Sequence, residues 1–280
     1  MARALVGGVD LFYEVAGEEA GEPLVLVHGS WVDHHSWDAA VPLLTARGHR
    51  VVVYDRRGHG ASGSPPGPGS RTQDEDDLAA LIEHLDLAPA HVAGNSFGGA
   101  TALGLAARRP GLFRSVTAHE PPLLGVVAGD PELGPLMRAT QDAIDRVLAD
   151  LRAVDAEAAA RRFVDEVAFG PGSWERLPEP VRRTFTANAP TFADEQADPG
   201  WAHLDLTRLA GYTGPVLLTR GTESPPWFPV ITDRLAAALA RARVLTLEGA
   251  GHVPQATHPE LYATTLTAFL AAAGSGPAGD

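Results

Sequence analysis

The stretch Gly94-Asn95-Ser96-Phe97-Gly98 sets a serine between near-neighbour glycines, where a short apolar run, Ala90 to Ala93, gives way to a helical pattern. That pattern runs through Phe97, Ala100, Leu103 and Leu105, and Pro110 stops it. A serine on so sharp a strand-to-helix turn reads as an exposed nucleophile, and the glycines permit the close backbone approach that the turn demands. A hydroxyl is weakly nucleophilic until a base takes its proton. His252, in Gly249-Ala250-Gly251-His252-Val253-Pro254, is the best candidate for that base, being on a glycine loop after an apolar run and just before the last helix. Attack on a carbonyl develops an oxyanion, which needs backbone donors fixed in advance. The turn His28-Gly29-Ser30-Trp31 follows the apolar run Leu24 to Val27, so the amides of Ser30 and Phe97 are the expected donors, with His28 packing beneath the turn.

Gly58-His59-Gly60-Ala61-Ser62-Gly63 fits the spacing of a dinucleotide-binding turn. It is followed by the loop Ser64-Pro65-Pro66-Gly67-Pro68-Gly69, where a pyrophosphate would need a helix N-terminus, so it is assigned as a structural turn and no cofactor is expected. His34, His35 and His59 could line a pocket, and His49, His84, His91, His203 and His258 read as surface or packing residues. The pair His34-His35 lacks a partner at ligand spacing, and no metal site is expected.

The elements that must position these groups alternate between short β-rich runs and helical patterns, the signature of a largely parallel sheet covered on both faces. Ala4 to Val6 and Val9 to Val15 flank Gly7-Gly8 as a hairpin. Buried strands are expected at Leu24 to Val27, Val51 to Tyr54, Ala90 to Ala93, Ser115 to Ala118, Val216 to Thr219 and Val244 to Leu247. Asp74 to Leu85 reads as a helix whose acidic start, Asp74 to Asp77, complements the helix dipole. Ile231, Leu235 and Leu239 mark another helix, Pro259 opens the last and Gly274 ends it, leaving a tail expected to fray.

From about Pro121 to Leu209 the alternation breaks into helical patterns, Leu136 to Val154 and Ala156 to Phe169, punctuated by Pro171, Pro178, Pro180, Pro190 and Pro199. The expected organisation is a core domain of residues 1–120 and 210–280 with a helical cap, 121–209, overhanging the serine and excluding water.

Composition bounds the partners. The chain has 280 residues, 45% apolar, and a formal net charge of −13, which disfavours nucleic acid and anionic membrane as partners. Without cysteine there is no disulfide, thiol nucleophile or thiolate metal site. The first ten residues lack a signal-peptide pattern and no apolar run reaches membrane-spanning length, so a soluble cytoplasmic protein is expected, its oligomeric state left open with a homodimer among the options.

Taken in chain order, the His-Gly turn, Asp55-Arg56-Arg57-Gly58-His59-Gly60-Ala61-Ser62, the serine turn and the late Gly-His resemble the α/β-hydrolase superfamily over about residues 5 to 272. The resemblance implies an α/β fold with an eight-stranded, mostly parallel sheet flanked by helices, an inserted helical cap, a cofactor-independent site with Ser96 as nucleophile, and the order serine, acid, histidine. The acid departs from the common pattern. Most relatives carry an aspartate three residues beyond a glycine after the strand Val216 to Thr219, and here that position is Ser224.

Glu223 and Glu120 compete for the role. Glu120 is favoured because Pro121 and Pro122 stiffen the backbone that must hold the imidazole in one tautomer. This arrangement is similar to that of zearalenone lactonases, which carry a His-Glu pair after the same strand and use a Ser-His-Glu triad. Here the pair is His119-Glu120, with His119 read as a neighbour. Trp31, Trp174, Trp227 and Phe228, with Phe192 and Trp201, are the candidate substrate-binding aromatics, suited to a small hydrophobic ester or lactone. The expected activity is hydrolysis of such a substrate through an acyl-enzyme on Ser96. The alternatives are a carbon–carbon bond hydrolase or lyase on the same fold, and a non-catalytic ligand-binding receptor or scaffold.

Overall fold

The computed structural model describes residues 2–64, 67 and 69–274. The tail beyond Gly274 and Pro65, Pro66 and Pro68 of the proline-rich loop lie outside these residues. Period-two alternation and the turn Gly7-Gly8, both at positive φ, make a hairpin of β1 (Ala2–Val6) and β2 (Val9–Ala16). The apolar runs become β3 (Glu22–Val27), β4 (His49–Tyr54), β5 (Ala90–Asn95), β6 (Phe113–His119), β7 (Val216–Gly221) and β8 (Ala242–Leu247). All eight form one sheet in the order β1-β2-β4-β3-β5-β6-β7-β8, antiparallel at β1/β2 and β2/β4 and parallel from β4 onward. The carboxyl ends of β3, β5 and β6 therefore lie side by side, with β7 next to β6, and the loops leaving them carry Ser30, Ser96 and Glu120.

The helices are α1 (Val41–Thr45), α2 (Arg71–His84), α3 (Phe97–Arg108), α4 (Gly134–Arg152), α5 (Ala156–Arg162), α6 (Ser173–Arg176), α7 (Glu179–Ala197), α8 (Leu206–Leu209), α9 (Trp227–Ala238), α10 (Pro254–Thr257) and α11 (Pro259–Gly274). Sheet side chains such as Val25, Val27 and Val92 bury one face against α2, α3 and α9, while Leu24, Leu26 and Ala93 bury the other against α1 and α11. Between β6 and β7 there is no strand among the described residues, and the helical insertion has its own apolar cluster of Ile144, Val147, Val164, Trp174, Phe185 and Phe192. A π-helical turn, Phe163–Ala168, extends α5.

Two local expectations change. The acidic residues of α2 do more than complement a dipole. The helix starts three residues earlier than expected, capped by Ser70 accepting from the Gln73 amide at 3.2 Å, so of the acidic run only Asp74 falls in the first turn. Asp74, Glu75 and Asp77 are buried against partners distant in sequence. Asp74 takes Arg56 through paired contacts at 3.0 Å, Asp77 takes Arg57 at 2.7 and 2.8 Å, and Glu75 takes Arg108 at 2.9 Å. An interior carboxylate needs such an opposing charge to stay ionised. Pro190, expected to punctuate, instead lies inside α7. The helix runs through it although a proline lacks the amide for the i−4 bond, because Phe185, Ala189 and Phe192 on the same stretch are buried in the insertion core.

Candidate active site

Ser96 sits at φ +54° and ψ −124°, a conformation that a non-glycine residue holds only under strong constraint. The constraint is visible on both sides. Its amide donates to the His119 carbonyl at 2.8 Å, and its carbonyl accepts from the Gly99 and Ala100 amides at 2.9 and 3.1 Å. A Cβ on Gly94 would lie 2.3 Å from the Gly98 carbonyl oxygen, and one on Gly98 would lie 2.2 Å from that of Val27, so both positions exclude side chains. Phe97 opens α3, and its amide belongs to the first-turn set for which a helix supplies no acceptor.

His252 meets this turn from the loop after β8. Its Nδ1 donates to Glu120 Oε2 at 2.7 Å, and Glu120 Oε1 accepts from the Gly221 amide at 2.7 Å. A carboxylate only accepts, so the Nδ1 proton is fixed and Nε2 keeps its lone pair. Burial pushes the Glu120 pKa up. The hydrogen bond and charge of His252, the nearby His119 and the Gly221 amide outweigh burial, and the carboxyl ends below its ordinary value of 4.5. Glu120 is fully buried and adopts φ +46°, and its amide is tied to the Thr219 carbonyl at 3.0 Å. Glu223, the competing acid, is exposed on the loop after β7.

The histidine loop is held by groups whose part the sequence does not announce. Asn95 Nδ2 donates to the His252 carbonyl at 2.8 Å. His119 Nε2 donates to the Gly251 carbonyl at 3.2 Å while its Nδ1 accepts from Thr219 Oγ1 at 2.9 Å, and burial pushes its pKa down to about 4, keeping it neutral. The Phe228 ring stacks on the His252 imidazole at 5.0 Å between centroids. His28, buried and neutral, accepts from the Arg56 amide at 2.9 Å and donates to the Gly29 carbonyl at 2.7 Å, so it stays beneath its turn.

Ser30, Ser96, Phe97 and His252 share one largely apolar cavity of about 80 Å³ under the helical insertion. A wider vestibule of about 580 Å³ adjoins it, with Val167, Ala168, Pro225, Trp227 and His252 on the wall common to both. Trp227 and Phe228 line the inner cavity, as do Phe192 and Trp201. Trp31 and Trp174 are placed elsewhere. Both are buried in the apolar cluster of the insertion, Trp31 stacked 4.6 Å from Phe163, and neither lines the cavity. Their size made them candidates, and the same size fits them to a core.

Sequence reasoning missed Glu195 of α7, a carboxylate that lines the cavity beside Ser30. Arg56 is buried between Asp74 and Glu195. Among the described residues no group of histidine, aspartate and glutamate side chains is disposed to hold a metal ion, and no helix is long and apolar enough to cross a membrane.

The Glu120 carboxylate also ties stability to pH. Its pKa in the folded chain lies below the ordinary value, so its contribution is fully present above about pH 4.5 and is lost as the pH falls through the lowered folded value. Thermal denaturation of wild type and Glu120→Gln at pH 7 and at pH 3 is expected to show a larger acid-induced loss in wild type. Equal losses would mean that the carboxylate gains nothing from its folded surroundings.

A family model described as the alpha/beta hydrolase family matches residues 24–265. The chain is 30% identical over 269 residues to the dihydrolipoyllysine-residue acetyltransferase component of the acetoin cleaving system of Pseudomonas putida, covering 96% of this chain and 68% of that protein. It is 27% identical over 287 residues to a non-heme chloroperoxidase of Streptomyces lividans, covering 94% of this chain and 96% of the relative. Among solved structures, the enol-lactonase from Burkholderia xenovorans LB400 superposes with a TM-score of 0.79 at 27% identity, covering 96% of this chain and all of the other. By its sheet order and by a match that runs from the third strand to the last helix, this chain belongs to the alpha/beta hydrolase family.

Proposed function

We propose that the protein is a cofactor-independent serine hydrolase that cleaves a carboxylic ester or lactone through an acyl-enzyme on Ser96. The observation that carries this reading is the 2.7 Å contact between His252 Nδ1 and Glu120 Oε2, on a histidine that lines one cavity with Ser96. His252 Nε2 takes the Ser96 proton as Oγ attacks the carbonyl carbon, and the amides of Ser30 and Phe97 receive the oxyanion. Collapse breaks the bond to the leaving oxygen, which takes the proton back from the imidazolium. Water then repeats the sequence on the acyl-enzyme and releases the acid. In a lactone the leaving oxygen stays tethered, and the product is a single hydroxy acid.

The cavity, lined by Trp227 and Phe228 with few polar groups, suits a hydrophobic substrate. Residues 121–209 act in this reading as the cap that keeps water out, and the compartment is cytoplasmic. The glutamate after β6 and the likeness to an enol-lactonase make a lactone, of the zearalenone type, the narrower form of the proposal.

A fluorophosphonate is expected to add a single phosphonyl group, at Ser96. Ester turnover in oxygen-18 water is expected to put the label in the acid and none in the alcohol. An unreactive serine would instead mark a binding protein, and products split at a carbon–carbon bond would mark the alternative chemistry.

A further inference from the structure

Ser30 and Trp31 leave the core on the loop after β3, yet the groups that hold them come from the helical insertion, α7 above all. Ser30 Oγ donates to Glu195 Oε2 at 2.6 Å. Asn188 Nδ2 donates to the Trp31 carbonyl at 3.4 Å, and the indole packs 4.6 Å from Phe163 and 5.0 Å from Phe192. Trp31 is at φ +69°, a left-handed conformation that so large a residue keeps only when its surroundings over-determine it.

Glu195 is itself fixed. It is 6% exposed, and its Oε1 accepts from Arg56 Nη2 at 2.8 Å. Arg56 is clamped by Asp74 and lies 4.3 Å over the Phe97 ring. One buried charge network thus touches both residues whose amides face a developing oxyanion. Donors to an oxyanion act by being fixed before the charge appears, and small misplacements are costly.

We propose that Glu195 is a positioning residue that grips the Ser30 hydroxyl and thereby aims the Ser30 amide, so that the seating of α7 on the core completes the oxyanion hole. This rests on the serine-hydrolase reading given above. The hydroxyl donates and the Glu195 carboxyl accepts, with Arg56 as the opposing charge; burial pushes the Glu195 pKa above its ordinary value, and the contacts from Arg56 and Ser30 work against that rise. Anything that shifts α7 changes the transition state more than the bound ground state.

Ser30→Ala keeps the amide and removes only the hydroxyl, and Ser30→Thr restores one. On a short aryl ester, Ser30→Ala is expected to lower kcat by about ten- to a hundredfold with KM within about twofold, because the lost alignment is felt only in the transition state. Fluorophosphonate labelling of Ser96 should slow in the same proportion, since the phosphonyl oxygen enters the same hole, and Ser30→Thr should recover most of the loss. Glu195→Gln combined with Ser30→Ala should cost little more than Ser30→Ala alone.

Wild-type kcat and labelling in Ser30→Ala would overturn the proposal, as would effects of the two substitutions that add in full. Should Glu195→Gln fail to fold because Arg56 loses a counter-charge, Ser30→Ala decides alone, since it leaves that pair in place. A wild-type protein that neither labels nor turns over the ester would sink the hydrolase reading itself, and the positioning role with it.

Discussion

Ser96→Ala is expected to lower kcat on a short aryl ester by roughly a million-fold, the order of loss seen when the nucleophile of a serine triad is removed. The fold should survive. Alanine keeps the Cβ, and the turn is held by backbone contacts to His119, Gly99 and Ala100 that do not involve the Ser96 hydroxyl. Thermal denaturation of the variant should therefore lie close to that of wild type, within about 1 kcal/mol of stability. Steady-state kinetics and fluorophosphonate labelling on the same preparation read the two quantities side by side. Undiminished turnover in a folded Ser96→Ala would take the serine out of the chemistry altogether.

The second large effect separates the two candidate acids. Glu120→Gln retains an oxygen for the Gly221 amide but sets an NH2 group against His252 Nδ1. The imidazole must then accept at Nδ1 and carry its proton at Nε2, the atom that should take the serine proton. A loss of about 10⁴ in kcat is expected, as for the amide substitution of a triad aspartate. Glu120→Ala should lose about as much activity and also about 1–3 kcal/mol of stability, since a buried amide and the imidazole lose their acceptor. Glu223→Ala, at an exposed loop position, should leave kcat within about twofold. The reverse pattern, with only Glu223→Ala inactive, would reassign the acid to the loop after β7.

These expectations draw on features that differ in how far they show in sequence. Most strands were legible because a strand buried on both faces is a short apolar run closed by a turn, as in β3 to β7, whereas β8, expected to be buried, is the edge strand beyond β7 and buries only Leu247. The serine turn was legible for a steric reason. Gly94 and Gly98 occupy places where a Cβ would strike backbone, so the glycines and the serine come as one local pattern.

What escaped depends on residues far apart in the chain. Asp74 and Arg56 lie 18 positions apart, and Arg56 and Glu195 lie 139 apart. No local period links them, so the α2 acids read as complementing the helix dipole. The tryptophans show the same limit. Trp227, between Pro225-Pro226 and Pro229 at a sheet end, had the better claim to the cavity and lines it, but nothing local to Trp31 shows that the helical insertion takes it into a core. Asn95 lay inside the pentapeptide itself, but its amide reaches the His252 carbonyl across 157 positions, a distance over which sequence carries no signal.

The Arg56–Glu195 pair has a consequence for recombining such proteins. By chain order the helical insertion is a replaceable cassette between β6 and β7, and its loops look like natural splice points. By charge it is not separable. A transplanted insertion without an acid opposite Arg56 would leave that guanidinium with Asp74 as its one carboxylate partner among the described residues, and would strand the Ser30 hydroxyl. Exchange between relatives is therefore constrained to donors that bring the acid with them or recipients that change Arg56 as well, and compatibility can be screened from those two positions before any chimaera is made.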